Sequence, residues 1–191
     1  MKNKDQAKYD QIIEAASNII VEDGYPAFST TAVAKAVGIR QSNIYIYFKN
    51  KSALLDAVYM HHMRLLAQFA HAHDQVQATT TEQIQSMIVG LVDFANDHPD
   101  SLVLIMTLKN NHVLTATFQS ETTEENQISL LDLLNKGAAE NLLKSLPTSL
   151  MVEFVMSILY DVAQHHLDSS YSKTSVTDST LADFIIDAIF K

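Results

Sequence analysis

The stretch GIRQSNIYIYF, residues 38–48, ends in alternating Ile and Tyr, which are residue types that favour β-strands. The chain has no second strand-like run nearby, so an isolated strand here would leave its backbone donors and acceptors unpaired. As a helix, the same stretch places Ile44 and Phe48 together on one face and leaves Gln41, Ser42 and Tyr45 on other faces. We therefore predict a short helix that follows Gly38.

The composition of the chain predicts an all-α fold. Among 191 residues, 47% are hydrophobic, which is enough to form a core, and only four are Gly and three are Pro. So few turn residues do not suit a protein of many short strands. We expect about nine helices, with an N-terminal three-helix helix-turn-helix domain followed by a C-terminal helical domain.

Apolar periodicity and capping residues predict where the helices lie. The first three should be an amphipathic helix ended by Gly24, a two-turn helix capped by Ser29 or Thr30, and the short helix after Gly38 described above. The first of these covers residues 5–22. The segment NNHVLTATFQSETT, residues 110–123, is expected to be a loop or a broken helix. The other predicted helices cover 51 to about 73 with a cap at Asn50, 80–96 with a Thr79–Glu82 capping box, a helix from Pro99, and 124–143, 147–167 and 179–190.

The chain contains no cysteine, which excludes disulfides and thiolate metal sites and fits a reducing cytoplasm. No apolar stretch approaches the roughly 20 residues that a membrane-spanning helix needs. The N-terminus is polar and lacks the apolar core of a signal peptide. These features predict a cytoplasmic protein with no membrane partner.

Charge is unevenly distributed along the chain. The formal net charge is -9, yet residues 1–58 carry seven Lys and Arg against six Asp and Glu. The N-terminal part is therefore at about +1 and the remainder at about -10, which suggests two different tasks in one chain. A charge of +1 is a weak basic footprint for a DNA-binding domain.

The three N-terminal helices, with a Gly turn between the second and the third, describe a helix-turn-helix motif. Polar side chains of the kinds that read base edges lie at the start of its third helix. Tyr45, Tyr47 and Lys51 can reach phosphates, and Thr30 is expected to cap the second helix beside an anion. The alternative is three packed helices without a role in DNA binding. The base-reading residues predicted from these side chains are Arg40, Gln41, Ser42 and Asn43.

The segment GYPAFSTTAVAKAVGIRQSNIYIYFKNKSALLDAVY, residues 24–59, resembles the DNA-binding signature of the tetracycline-repressor (TetR) family of bacterial transcription regulators. The resemblance implies that Gln41, Ser42, Asn43 and Ile46 face bases. It also implies that Thr30, Tyr45, Tyr47 and Lys51 hold phosphates. Position 42 is usually Gly or Pro in the family, and position 40 is often a Ser-like cap. Arg40 is therefore free to contact a base or a phosphate.

Beyond residue 60 the resemblance concerns architecture only. It implies a DNA-binding domain over residues 1–50 and a ligand-binding and dimerisation domain over residues 51–191, with the long helix from residue 51 shared between them. The helix over 147–167 is apolar on two sides and should pack on its own domain and on a second copy of the chain. A twofold dimer would separate its reading helices by about 34 Å, which matches successive half-sites of a palindrome. The predicted dimer residues are Phe154, Val155, Ile158, Leu159, Val162, Leu181, Phe184, Ile185 and Ile189.

Methionine and aromatic side chains of the C-terminal part are candidates for a ligand pocket, because they adapt to bulky apolar ligands. Ordinary core packing is the competing explanation. The acidic charge favours a cationic or neutral ligand, although a solvated surface would explain it equally. His61, His62, His71 and His73 lack the spacing of a metal site and are expected on a solvated face. The predicted pocket residues are Met63, Met87, Phe94, Met106, His112 and Phe118.

The function predicted from these patterns is a ligand-responsive, homodimeric transcription regulator. By family resemblance it is most often a repressor, which binds a palindromic operator and is released by a small-molecule inducer. We expect the inducer to shift the dimer toward a form whose reading helices are spaced wrongly for DNA. No arrangement of side chains suggests an enzyme or a cofactor site. The alternative is a helical protein-interaction module that keeps the fold without sequence-specific DNA binding.

Overall fold

The computed structural model describes residues 2–74, 78–110, 129–168 and 178–191. Within these ranges the regular elements are helices, apart from one isolated antiparallel bridge between Leu143 and Phe190. The predicted all-α fold is therefore confirmed, and residues 38–48 contain a helix and no strand. The helices are α1 Lys2–Glu22, α2 Thr30–Val37, α3 Gln41–Tyr47, α4 Lys51–Ala70, α5 Thr80–Asp97, α6 Pro99–Asn110, α7 Leu130–Ala139, α8 Thr148–Leu167 and α9 Asp178–Ile189.

The chain forms two compact units, one of Met1–Met63 with Val103–Thr122 and the other of Arg64–Leu102 with Thr123–Lys191. In the first unit, α1 packs against α2, and α2 packs against α3. The buried face of α1 consists of Ile12, Ile13, Ala16 and Ile20, which recur at helical spacing as predicted.

Local backbone chemistry fixes the ends of α2. The Ser29 hydroxyl accepts a hydrogen bond from the Ala32 amide at 3.1 Å, so Ser29 is the N-cap and Thr30 is the first helical residue. The expectation that Thr30 caps this helix was wrong. Gly38 ends α2 in the left-handed conformation, with φ of 71°, which a residue without Cβ adopts at little cost. α3 begins three residues later.

The second unit is built around α5, which packs against α7, α8 and α9. Its buried residues include Ile84, Ile88, Leu91 and Phe94. The predicted capping box is present: the Glu82 carboxylate accepts the Thr79 amide at 2.7 Å, and the Thr79 hydroxyl accepts the Glu82 amide at 3.3 Å. This helix therefore starts where the sequence alone places it.

The helix predicted over residues 124–143 is shorter in the structure. Its described part begins at Leu130 behind a second capping box, formed by Ser129 and Asp132. It ends at Ala139 because Asn141 takes a left-handed conformation, with φ of 60°, which turns the chain. Residues 124–128 lie outside the described ranges. Within the described ranges, no helix has both the length and the apolar character that crossing a membrane requires.

Candidate nucleic-acid interface

α3 is held in place from one side by two apolar residues. Ile44 is fully buried and Phe48 is 4% exposed. The Phe48 ring also packs against the Tyr9 ring of α1, with 5.0 Å between their centroids. Because these contacts fix one face of a helix of only two turns, its opposite face is presented in a defined orientation.

The exposed surface at the start of α3, together with the face opposite Ile44, carries the side chains that the sequence predicted to read bases. Arg40, Gln41 and Ser42 are exposed, and Asn43 is half-buried. Ile46 is 74% exposed, although it is apolar and only two positions from the fully buried Ile44. This face therefore presents hydrogen-bonding groups and one aliphatic side chain together, which is the mixture that major-groove base edges and thymine methyl groups require.

Arg40 is the N-cap residue of α3, but its side chain makes no capping hydrogen bond. Its backbone carbonyl instead accepts the Asn43 amide at 2.9 Å. The departure from the Ser-like cap of the family pattern thus leaves the Arg40 guanidinium projecting from the start of the helix.

The hydroxyl of Thr30 lies at the junction of α2 and α3. It accepts a hydrogen bond from Gln41 Nε2 at 2.9 Å, and the Tyr45 hydroxyl lies 3.4 Å away. Thr30 is 6% exposed, whereas Gln41 and Tyr45 are exposed. One buried hydroxyl therefore joins a predicted base-reading residue and a predicted phosphate contact.

Two other predicted phosphate contacts flank the end of α3. Lys51 is exposed, and its Nζ lies 5.1 Å from the centroid of the Phe28 ring and 5.7 Å from that of the Tyr25 ring. These distances allow cation–π attraction, which limits where the ammonium group can move. Tyr47 is half-buried, with its ring 6.5 Å from the Phe48 ring.

The predicted dimer residues divide into two sets on α8 and α9. One set is buried within the chain's own unit, and the other keeps part of its apolar surface exposed. Phe184 is the most exposed of them, at 59%, and Leu150 on α8 is also exposed. The buried set is Val155, Leu159, Leu181, Ile185 and Ile189, and the partly exposed set is Phe154, Ile158, Val162 and Phe184.

The predicted pocket residues do not share one environment. Met87 and Phe94 are buried in the second unit, and the Phe94 ring packs against Phe69 with 5.7 Å between centroids. Met106 is buried and Met63 is half-buried in the first unit. His112 and Phe118 lie outside the described residues. The assignment of these six residues to a ligand pocket stays a prediction.

His62 differs from the sequence expectation, which placed it on a solvated face with three other histidines. It is 8% exposed, and its Nε2 lies 2.9 Å from the Ser17 hydroxyl. Ser17 Oγ donates to the Ile13 carbonyl at 2.9 Å, so its oxygen can accept the Nε2–H of His62. The signal was present in the sequence, because His62 continues the buried row of Leu54 and Val58 at intervals of four residues.

Comparison with known proteins agrees with this arrangement. The family described as "Bacterial regulatory proteins, tetR family" matches residues 12–58, which include α2 and α3. The fatty acid metabolism regulator protein of Bacillus subtilis is 31% identical over 114 residues, which are 59% of this chain and 58% of that protein. The aligned part therefore spans somewhat more than half of that relative.

Two solved structures extend the similarity across the whole chain. A transcription regulator from Lactobacillus plantarum superposes with a TM-score of 0.80 at 29% identity, covering 96% of this chain and 98% of the other. A TetR family transcription regulator from Marinobacter aquaeolei VT8 gives a TM-score of 0.84 at 22% identity and covers both chains completely. The second likeness concerns the fold alone.

Proposed function

Because the chain belongs to the tetR family of bacterial regulatory proteins, we propose that it regulates transcription by binding a palindromic DNA operator as a homodimer. A small-molecule inducer releases it, which makes it a repressor and a binding protein instead of an enzyme. It acts in the cytoplasm, where the DNA is. Residues 1–50 bind DNA, and residues 51–191 bind the inducer and the second subunit.

The observation that carries this proposal is the two-sided character of α3. Its inner face is fixed by Ile44 and Phe48, and its outer face exposes polar groups beside Ile46. A solvated helix surface gains nothing from an isoleucine that is 74% exposed, whereas a thymine methyl group in the major groove would cover it. We assign base reading to Arg40, Gln41, Ser42, Asn43 and Ile46.

We assign phosphate contacts to Tyr45, Tyr47 and Lys51, which lie beside the proposed base-reading residues. The two hydroxyls can donate to phosphate oxygens, and the Lys51 ammonium can neutralise one phosphate. Because the N-terminal part carries a net charge of only about +1, we expect these contacts to supply a modest electrostatic share of the affinity. Thr30 is too deeply buried to be grouped with them, and its role is considered separately below.

The homodimer is supported by the apolar surface that α8 and α9 leave uncovered. Phe154, Ile158 and Val162 recur every four residues on α8 and so form one stripe, and Phe184 projects from α9. Burying these side chains against a second copy would remove apolar surface from water at about 25 cal/mol per Å². We therefore restrict the proposed interface to this partly exposed set.

An electrophoretic mobility shift on the DNA upstream of the protein's own gene tests the proposal. The fragment and a scrambled fragment of equal length are compared at low and at moderate salt. We expect the upstream fragment to be retained at moderate salt while the scrambled fragment is lost, because non-specific binding depends on phosphate contacts alone.

Equal loss of both fragments at every salt concentration would contradict the proposal and favour the helical protein-interaction module instead. Once a bound fragment is found, adding candidate cationic or neutral small molecules tests the inducer. Release of DNA from the folded dimer is the expected result, because a ligand that prefers one conformation shifts the population toward it.

A further inference from the structure

The geometry at the junction of α2 and α3 points to a role for Thr30 that differs from phosphate binding. We propose that Thr30 is a positioning residue, which orients the Gln41 amide so that its carbonyl oxygen faces the major groove and selects a base that presents an exocyclic amino group in that groove. That base is adenine or cytosine. This inference rests on the proposed function, because it concerns how the same surface chooses its DNA sequence.

Burial argues against a direct phosphate contact by Thr30. The residue is 6% exposed, and its hydroxyl is already engaged by Gln41 Nε2 at 2.9 Å. A phosphate oxygen would have to displace that amide to reach the hydroxyl. Tyr45 and Lys51, by contrast, are exposed and available to phosphates.

The direction of the hydrogen bond limits what Gln41 can offer to DNA. A Gln amide has one acceptor oxygen and two N–H groups, and one N–H is used on Thr30. The oxygen and the second N–H remain available. In the major groove, an amide oxygen accepts from adenine N6 or cytosine N4, whereas thymine O4 and guanine O6 are acceptors and would repel it.

The same contact lowers the entropic cost that the Gln41 side chain pays when it binds a base. An exposed Gln side chain with several rotatable bonds loses conformational freedom when it contacts a base. Because Thr30 already holds the end of the Gln41 side chain in the free protein, part of this cost is met before DNA arrives. Loss of the Thr30 hydroxyl should therefore weaken base choice at one position and leave the phosphate contacts in place.

The experiment is a selection of bound sequences from a DNA library of random half-sites, followed by affinity measurements on the selected operator and its single-base variants. Wild type, Thr30→Val, Thr30→Ser, Gln41→Ala and the double variant Thr30→Val/Gln41→Ala are compared. Val keeps the shape of Thr without the hydroxyl, and Ser keeps the hydroxyl. Thermal unfolding of each variant shows that the compared proteins are folded.

For the wild type, we expect one base pair of each half-site to require adenine or cytosine on one strand. Gln41→Ala should lower the preference at that pair by about 5- to 100-fold. Thr30→Val should lower it at the same pair by about 2- to 10-fold, and Thr30→Ser should retain it. The double variant should discriminate no worse than Gln41→Ala alone, because the two residues act through one contact.

Any one of the following results would overturn the inference. An equal loss on every sequence for Thr30→Val would make Thr30 a phosphate contact. A preference for thymine or guanine at the pair that Gln41→Ala relaxes would mean that the amide presents its amino group. Additive losses in the double variant would separate the two residues. If Thr30→Val does not fold, Thr30→Ala also removes the hydroxyl, with the same expected loss at that pair, and an unchanged preference there contradicts the inference. If wild type selects no sequence at all, the proposed function fails, and this inference fails with it.

Discussion

Ile44 and Ile46 show how single residues of α3 divide between folding and recognition. They have the same side chain and lie two positions apart, yet one is fully buried and the other is 74% exposed. The helical period places them on opposite sides of the element. Substitutions at Ile44 should therefore act on stability, whereas substitutions at Ile46 should act on DNA sequence preference.

Lys51→Ala should weaken binding to all DNA sequences alike. Its ammonium group is exposed beside the reading helix, and loss of one phosphate contact should lower the slope of log affinity against log salt by about one. Affinity measured across a salt series on the operator and on a scrambled fragment checks this. Lys136→Ala is a suitable control, because Lys136 is an exposed lysine of the second unit that donates to Gln83. A slope unchanged by Lys51→Ala would remove Lys51 from the phosphate contacts.

Residue-level prediction from the sequence succeeded where the cause is local and failed where it depends on distant partners. The exposed start of α3 and the cap at Asn50, whose side-chain oxygen accepts the Ala53 amide at 2.8 Å, follow from nearby residues. The bond between Ser17 and His62 joins positions that are 45 residues apart. No periodicity within one helix identifies such a partner, although it can identify the buried face on which His62 lies.

At the scale of elements, the capping box of α5 should make stability depend on pH. Hydrogen bonds from the Thr79 side chain and backbone lower the pKa of Glu82 below its ordinary value of 4.5. A lowered pKa in the folded state means that the carboxylate stabilises the fold above the ordinary value and loses this effect as the pH falls through the folded-state pKa.

Glu82→Gln should therefore unfold at a lower temperature than wild type near neutral pH, with the difference shrinking in acid. Gln keeps the hydrogen-bonding shape of the box but lacks the charge that favours a helix N-terminus. Thermal unfolding of both proteins at about pH 7 and about pH 3 checks this. A difference that is the same at both pH values would show that the charge contributes nothing.

Gly90 of α5 marks a close approach between two helices. A Cβ at this position would lie 2.0 Å from the Phe69 carbonyl oxygen of α4, which is backbone and cannot rotate away. Gly90→Ala should lower the free energy of unfolding by about 1–3 kcal/mol through overpacking, which exceeds the gain of up to about 1 kcal/mol in helix propensity.

Gly137→Ala on α7 provides the matched control for Gly90→Ala. Its added Cβ would meet the Ile84 Cδ1 atom at 2.8 Å, and the end of a side chain can move where a backbone carbonyl cannot. Denaturant unfolding should therefore show a smaller loss for Gly137→Ala. Equal losses for the two variants would contradict the argument from backbone contact.

Sequence reasoning located the starts of α5 and α6 correctly and the end of α7 wrongly. The starts of α5 and α6 follow from a capping box and a proline, both of which act within one turn. The end of α7 depends on Asn141 and on the buried Leu143, which bridges to Phe190 at the other end of the sequence. Such long-range pairing is absent from local patterns, so the predicted helix ran too far.

At the scale of the whole molecule, Phe184→Glu should convert the proposed dimer to a monomer. Phe184 is 59% exposed, and a carboxylate in an apolar interface would lose its hydration without a partner. Light scattering coupled to size-exclusion chromatography gives the mass of the particle, and a mobility shift gives its operator affinity. We expect both to fall, because a monomer cannot hold two half-sites at once.

Leu131→Glu is the control for Phe184→Glu. It places a carboxylate at another exposed apolar position, so it shows whether the added charge alone changes the oligomeric state. Leu131 is an exposed leucine of α7 and is not one of the proposed interface residues on α8 and α9. This variant should remain dimeric and bind the operator as wild type does. A Phe184→Glu protein that stays dimeric would place the second subunit on another surface.

The two stripes of α8 have a practical consequence for genetics. Phe154 and Val155 are adjacent residues, encoded by neighbouring codons, yet the Phe154 side chain is partly exposed and Val155 is fully buried. A screen that scores only loss of the proposed operator binding would group mutations at both positions, although one should leave a correctly folded subunit and the other an unfolded chain. Measuring the steady-state protein level beside the reporter would separate them, because only the first class should keep a folded subunit.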